Sequence, residues 1–225
     1  MKRLLSATMS LFFFVTMHAQ KDVTTFLGIP VDGTKMAMTQ KLKAKGFQYN
    51  AELDCLVGEF NGSDVHVSVV TNNNKVWRIA VQDANLSSEG DIKIRFNKLC
   101  NQFAKNQKYM SASLFKDYTL SEDEDISYKM IVENKRYEAD YYQLPKDTAA
   151  VSRDMKEFLL SKYTQEQLDN PTENLKTSMT IDVLDFMQDR YSKKSVWFMI
   201  SKKYGRYQIV MYYDNEYNHS DGEDL

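Results

Sequence analysis

CLVGEFNGSDVHVSVVTNNNKVWRIAVQD, running from Cys55 to Asp83, decides the fold. In its middle, Val65, Val67 and Val69 alternate with His66 and Ser68, the period of a strand with one buried face. Asn61-Gly62 precedes this run, and Asn-Gly is the strongest short hairpin signal because both central residues of a type I′ turn need positive φ. Asn72-Asn73-Asn74 follows it as a second turn. The stretch therefore reads as three strands, 53–60, 64–71 and 75–83, in an antiparallel meander. In the third strand, Trp77, Ile79 and Val81 are expected on one face.

Upstream, residues 34–45 read as a helix with Met38 and Leu42 on its apolar side. Gly46 fits the left-handed position after the helix, and Phe47 can pack back on Leu42 as in a Schellman motif. The lysines of this helix form an ordinary solvated face. Downstream, Ser88 caps a helix over 89–107. Its apolar stripe is Ile92, Phe96, Leu99, Cys100 and Phe103, spaced to cover a sheet. Residues 127–133 and 136–143 read as a hairpin across Asn134-Lys135, with Tyr137, Ala139 and Tyr141 on one face. Helices over 148–163 and 174–190 follow, and 195–202 pairs with 206–214 around Tyr204-Gly205. The expected fold is α+β: mainly antiparallel sheet covered by helices, as one domain over 20–225. Two related helix-plus-meander lobes, 20–109 and 110–214, are a possible subdivision, followed by a polar tail, 215–225.

The chain opens with Lys2 and Arg3, then an apolar run from Leu4 to Met17, then Ala19 before Gln20. That order is a cleavable secretory signal peptide over 1–19. The run is too short and too interrupted by hydroxyls for a membrane anchor. No Cys follows it for lipid attachment. A periplasmic or secreted location follows. The remaining 206 residues carry 27 Lys and Arg against 31 Asp and Glu. Such a balance offers no basic footprint for nucleic acid or anionic membrane. Two cysteines, Cys55 and Cys100, do not make a disulfide framework. They are expected in the same half, with Cys100 in the core and the pair more often free than bridged.

No catalytic, cofactor-binding or metal-binding constellation stands out. His66 and His219 are far apart and lack Cys or carboxylate neighbours at zinc spacing. Neither cysteine sits beside a His base. Asp214, Glu216 and Asn218 are spaced like the start of a calcium loop, but His219 stands where the Gly is required. Glu122 to Asp125 and the acidic tail read as solvated segments. Fourteen tyrosines, with Tyr207 and Tyr213 opposite Tyr212 on one strand, suit a protein or glycan surface.

Phe26-Leu-Gly-Ile-Pro-Val-Asp-Gly33, Leu42-Lys-Ala-Lys-Gly-Phe47, Leu56-Val-Gly-Glu-Phe-Asn-Gly62 and the closing Tyr212-Tyr-Asp-Asn with Gly222-Glu-Asp-Leu225 resemble a group of uncharacterised secreted proteins of gut-type Gram-negative bacteria. Residues 145–192 carry none of this resemblance, and it implies no activity. The order of elements is also similar to the beta-lactamase-inhibitor-like fold, in which a small helical unit followed by antiparallel strands occurs twice. That likeness implies a binding module, although fold does not fix function.

The leading expectation is a non-catalytic periplasmic or secreted binding protein without cofactor, taking a protein or glycan of the envelope as partner. A carboxylate-dependent envelope hydrolase and an envelope structural or assembly factor are the alternatives. Two carboxylates with raised pKa in a pocket favour the enzyme; an aromatic patch without them favours binding. The exported protein is predicted to begin at Gln20. N-terminal sequencing of exported material checks this, and an intact Met1 contradicts it.

Overall fold

The computed structural model describes residues 22–113 and 116–219. Residues 1–21, on which the signal-peptide expectation falls, and residues 114–115 and 220–225 lie outside these ranges.

The chain is α+β. A two-strand hairpin, β1 (Thr25–Phe26) and β2 (Ile29–Pro30), leads into α1 (Lys35–Lys43), then β3 (Gln48–Asn50), β4 (Cys55–Phe60), β5 (Ser63–Asn72) and β6 (Lys75–Asp83). The second part runs α2 (Glu89–Lys105), β7 (Tyr109–Ser111), α3 (Ile126–Val132), β8 (Glu138–Gln143), α4 (Thr148–Lys162), α5 (Gln165–Asp169), α6 (Glu173–Ser192), β9 (Ser195–Lys203) and β10 (Arg206–Asp214). Eight strands form one antiparallel sheet in the order β3-β4-β5-β6-β10-β9-β8-β7. It consists of two four-strand meanders, each preceded by a helix, joined where β6 meets β10. One sheet thus runs through both meanders. The second unit differs by two insertions: α3 between β7 and β8, and α4–α6 between β8 and β9. Both edge strands are only three residues long, which limits unwanted pairing.

Alternation gives the sheet one helix-covered face. A row of directly opposed residues crosses six strands: Leu56, Val67, Val81, Met211, Phe198 and Ala139. All are buried. Met38 and Leu42 of α1 and the Ile92, Phe96, Leu99, Cys100 and Phe103 stripe of α2 join the same core. Asp83 and Arg95 fix α2 to the sheet through two short bonds, and Asp83 also accepts from the Ile209 amide at 3.1 Å.

Local signals act as the sequence implies. Gly46 has φ +100°, its N–H donates to Lys43 O, and the Phe47 N–H donates to Leu42 O, completing the Schellman motif. Asn61-Gly62, Asn73-Asn74 and Tyr204-Gly205 all take positive φ, as tight hairpin turns require. Cys55 and Cys100 are both buried and free. Burial pushes the Cys100 thiol up to about 11, the condition of a structural cysteine.

Three expectations are corrected. Residues 127–133 are not a strand: Asp125 caps α3 by accepting from the Tyr128 amide, Ile126 is fully buried, and Met130 packs on the same core. Ile126 and Met130 satisfy a period of two and an (i, i+4) helix spacing alike, so a seven-residue run cannot separate them. The partner of β8 opposite β9 is instead β7. Next, Trp77 does not share the Ile79 face. Val70 pairs with Arg78 and Thr71 with Val76, so Trp77 is an extra residue in β6. Such a bulge flips the phase, and Val76 takes the buried position. Finally, the acidic run 122–125 is not simply solvated. Glu124 accepts from Lys129, Lys135 and the Tyr137 hydroxyl. Lys129 first, then Lys135 and Tyr137, hold its carboxyl down to about 2.

Two predictions follow from these contacts. A Cβ placed on Gly58 would stand 2.8 Å from the Phe47 ring, so Gly58→Ala overpacks the core by about 1–3 kcal/mol in urea unfolding. Phe47→Leu in the same chain recovers part of that loss; an unchanged midpoint contradicts the contact. The Glu124 carboxyl is lowered in the folded state, so its stabilisation is present above the ordinary carboxylate pKa and disappears as pH falls toward about 2. Glu124→Gln therefore lowers the melting temperature at pH 7 and brings the variant and parent curves together at the acid end. Equal melting temperatures at pH 7 contradict this.

Candidate functional site

The face of the sheet opposite α1 and α2 carries the densest group of partly exposed aromatic and charged side chains. Its centre is a row of opposed residues, Ala80, Tyr212, Trp197 and Asp140, on β6, β10, β9 and β8. Trp197 stacks on Tyr212, with ring centroids 4.3 Å apart and planes at 30°. Beside them Arg78, on β6, is opposite Asp214 on β10. Its guanidinium bonds both carboxylate oxygens, at 2.6 and 2.7 Å. The Trp197 indole N–H donates to the same carboxylate at 2.9 Å. The guanidinium also lies over the rings of Tyr212 and Trp77, at 4.5 and 4.2 Å. The bulge in β6 places Trp77 here.

Asp214 is the fixed point of this group. Its side chain is only 2% exposed and its charge is matched by Arg78, which is 23% exposed. A planar guanidinium suits both a bidentate carboxylate and ring stacking, which an ammonium does not. The next residue, Asn215, is fully buried, donates its amide N–H to Trp77 O and bonds Val31 O through its side chain. Residues 215–219 are thus packed against the sheet as a single 3₁₀ turn (Glu216–Asn218), not the start of a loose polar tail. His219 faces Trp77 at 4.4 Å and contacts Glu216 at 3.2 Å. Asp214, Glu216 and Asn218 do not form a calcium loop: Asp214 serves Arg78, and Asn218 donates to Asp32 Oδ1 and Val76 O.

Two carboxyl groups near the patch are displaced upward. Burial raises Asp140, with Glu138 adding to the effect from the same face of β8. Burial also raises Glu216, with Asp214 adding to it. Among the described residues, no three His, Cys, Asp or Glu side chains are grouped as metal ligands would be. His66 is on this same face, opposite Val57 and Gln82. Tyr207 and Tyr213 point into the core, and only Tyr212 of that strand faces outward.

Of this group, reading along the chain assigns only Tyr212 to a binding surface; it sets Trp77 on the Ile79 face and Asp214 in a calcium-loop spacing. Arg78 and Asp214 are separated by 136 residues, and only the β6–β10 register brings them together. A signal existed in Arg78 itself, a charge between Trp77 and Ile79 in the apolar middle of β6. Compared with known proteins, the chain matches no family model, no curated protein and no solved structure.

Arg78→Met is expected to cost about 3–5 kcal/mol in urea unfolding, because it leaves the Asp214 carboxylate buried without its partner. Tryptophan emission reports the same change, as both tryptophans touch Arg78. A loss below about 1 kcal/mol, the scale of an exposed pair, contradicts the clamp.

Proposed function

We propose that the chain is a non-catalytic binding protein of the bacterial envelope, periplasmic or secreted, and that it takes its partner on the sheet face bearing Trp77, Arg78, Trp197 and Tyr212. The cluster itself carries this reading. Trp, Tyr and Arg are the side chains that most often dominate binding energy, since they combine large apolar area with polar tips and few rotamers. Here they are held in place before any partner arrives, because Asp214 fixes Arg78 and Trp197 together. Preorganisation lowers the entropy cost of binding. A protein partner suits the Arg-containing patch best; a glycan is the other class such aromatics serve.

One observation favours a second reading. The Asp140 carboxyl is raised and has Glu138 on the same face, which suits a carboxylate-dependent hydrolase. Turnover of envelope glycans or peptides that is abolished by Asp140→Asn would establish it.

The test of the first reading is capture of the purified protein's partner from its own envelope, with Tyr212→Ala as the control. Tyr212 is half-buried in the patch, and circular dichroism checks that the variant keeps the parent fold. The variant is expected to lose at least about tenfold in retention, the scale of an interface hot spot. Protease treatment of the envelope abolishes capture if the partner is a protein and spares it if a glycan. Equal retention of parent and variant contradicts the site.

A further inference from the structure

A second feature lies on the other side of the sheet and is independent of the aromatic face. A cleft of about 1340 Å³ opens between the β1–β2 hairpin, the β4–β5 turn, the C-terminal end of α2 and the β8–α4 loop. Small-molecule sites usually span roughly 300–1,000 Å³, so an organic ligand of that size fits within it.

The floor of the cleft is apolar. Leu99 and Phe103 of α2 and Met211 and Tyr213 of β10 form it, all buried, and Phe60 flanks them. Its polar atoms are already engaged. The Tyr213 hydroxyl is bonded to that of Tyr109, and Gln143 Nε2 donates to Tyr109 at 3.3 Å. A ligand reaching the floor therefore meets hydrocarbon and aromatic surface with no free donor or acceptor to satisfy. The rim has the opposite character. Lys105, Lys108 and Lys146 line it, all exposed, and no Asp or Glu lines the cleft anywhere. None of the three lysines takes part in an ion pair among the described residues.

The walls are fixed. Gln143 ties the β1–β2 hairpin to β8 by accepting from the Thr25 amide at 2.7 Å and donating to Thr25 O at 3.1 Å. Asn61 and Gln102 exchange side-chain amide bonds, at 2.8 and 3.2 Å, and so hold the β4–β5 turn against α2. Each wall is thus tied by reciprocal bonds across the edge of an apolar floor.

We infer that this cleft binds a single-chain amphiphile with an anionic head, such as a long-chain fatty acid. The acyl chain lies along the accessible apolar lining, Leu27, Phe60, Leu144 and Pro145, above the buried Leu99, Phe103 and Met211, and the carboxylate meets Lys105, Lys108 and Lys146. Burial of each methylene is favourable, so the chain supplies most of the affinity and the lysines supply the selection for charge.

The probe is cis-parinaric acid, whose fluorescence rises in an apolar site, titrated into the purified protein alongside its uncharged methyl ester. Saturable enhancement is expected with the acid, and clearly weaker binding with the ester. The Lys105→Gln, Lys108→Gln, Lys146→Gln triple variant changes only exposed side chains and keeps the parent circular dichroism. It is expected to bind the acid about tenfold more weakly while leaving the ester unchanged. No saturable signal up to the solubility limit of the acid overturns the inference. So does equal affinity for acid and ester, or for parent and triple variant. Capture by phosphatidylglycerol vesicles without binding of monomeric acid also overturns it, because the lysines then serve a membrane surface and not a cleft.

Discussion

The pairing of β6 with β10 holds the molecule together. The first meander is local, built from short turns between neighbours in sequence; the second joins β7 to β8 through α3 and β8 to β9 through α4–α6, and only β9–β10 is a tight hairpin. Only the central pair joins them, and its register sets Val81 against Met211 and Ile79 against Tyr213. A buried carboxylate engages the pair at each end. Asp83 at the end of β6 holds the Ile209 amide of β10 and Arg95 of α2. Asp214 at the end of β10 holds Arg78 of β6. Both are bidentate Arg–Asp contacts with poorly exposed acids, the geometry in which such pairs fix a register most firmly. One faces the helices and the other the opposite surface, so the pairing positions the core and the aromatic patch together.

That arrangement explains why the candidate site lies where it does. Trp77 reaches the reverse face because of a bulge, Tyr212 because of strand phase, and Trp197 because β9 is next to β10. Strand β6 and the β9–β10 hairpin, far apart in sequence, converge on one carboxylate. The cleft on the other side uses the same central strand, since Met211 and Tyr213 of β10 form part of its floor. The odd residues of β10 thus look toward the helices and its even residues toward the aromatic patch. The two surfaces need not share a ligand, but they share a strand, and displacement of β10 would be felt at both.

The local elements were legible because each rests on neighbours in sequence. Valine alternation, Asn-Gly turns, the Gly46-Phe47 stop and the α2 stripe all act within about a dozen residues. Alpha3 was misread because Ile126 and Met130 fit both periods, and tertiary packing decided between them. Tyr109–Ser111 is too short to announce itself; it is a strand because β8 needs a partner beyond β9. Tyr212 was the part of the site visible in advance. The Arg78–Asp214 pair was not, because it depends on the β6–β10 register between strands far apart in sequence, and the Trp77 bulge was not, because it is a one-residue slip in the β5–β6 pairing that changes the facing. The engagement of Glu124 by Lys129, Lys135 and Tyr137 was hidden for a different reason: its partners are close in sequence, but it is the α3 turn, which reads as a strand, that brings them onto the acid.

The unity of the two meanders is tested most directly by native-state hydrogen exchange under increasing denaturant. With β6–β10 as the shared centre, the amides of Val81, Val210 and Met211 exchange only through global unfolding, and the inner strands β5 and β9 on either side merge with them at one common free energy. If β3–β6 and β7–β10 instead exchange as two groups with separate free energies, the meanders are independent units and the central pair does not hold the fold.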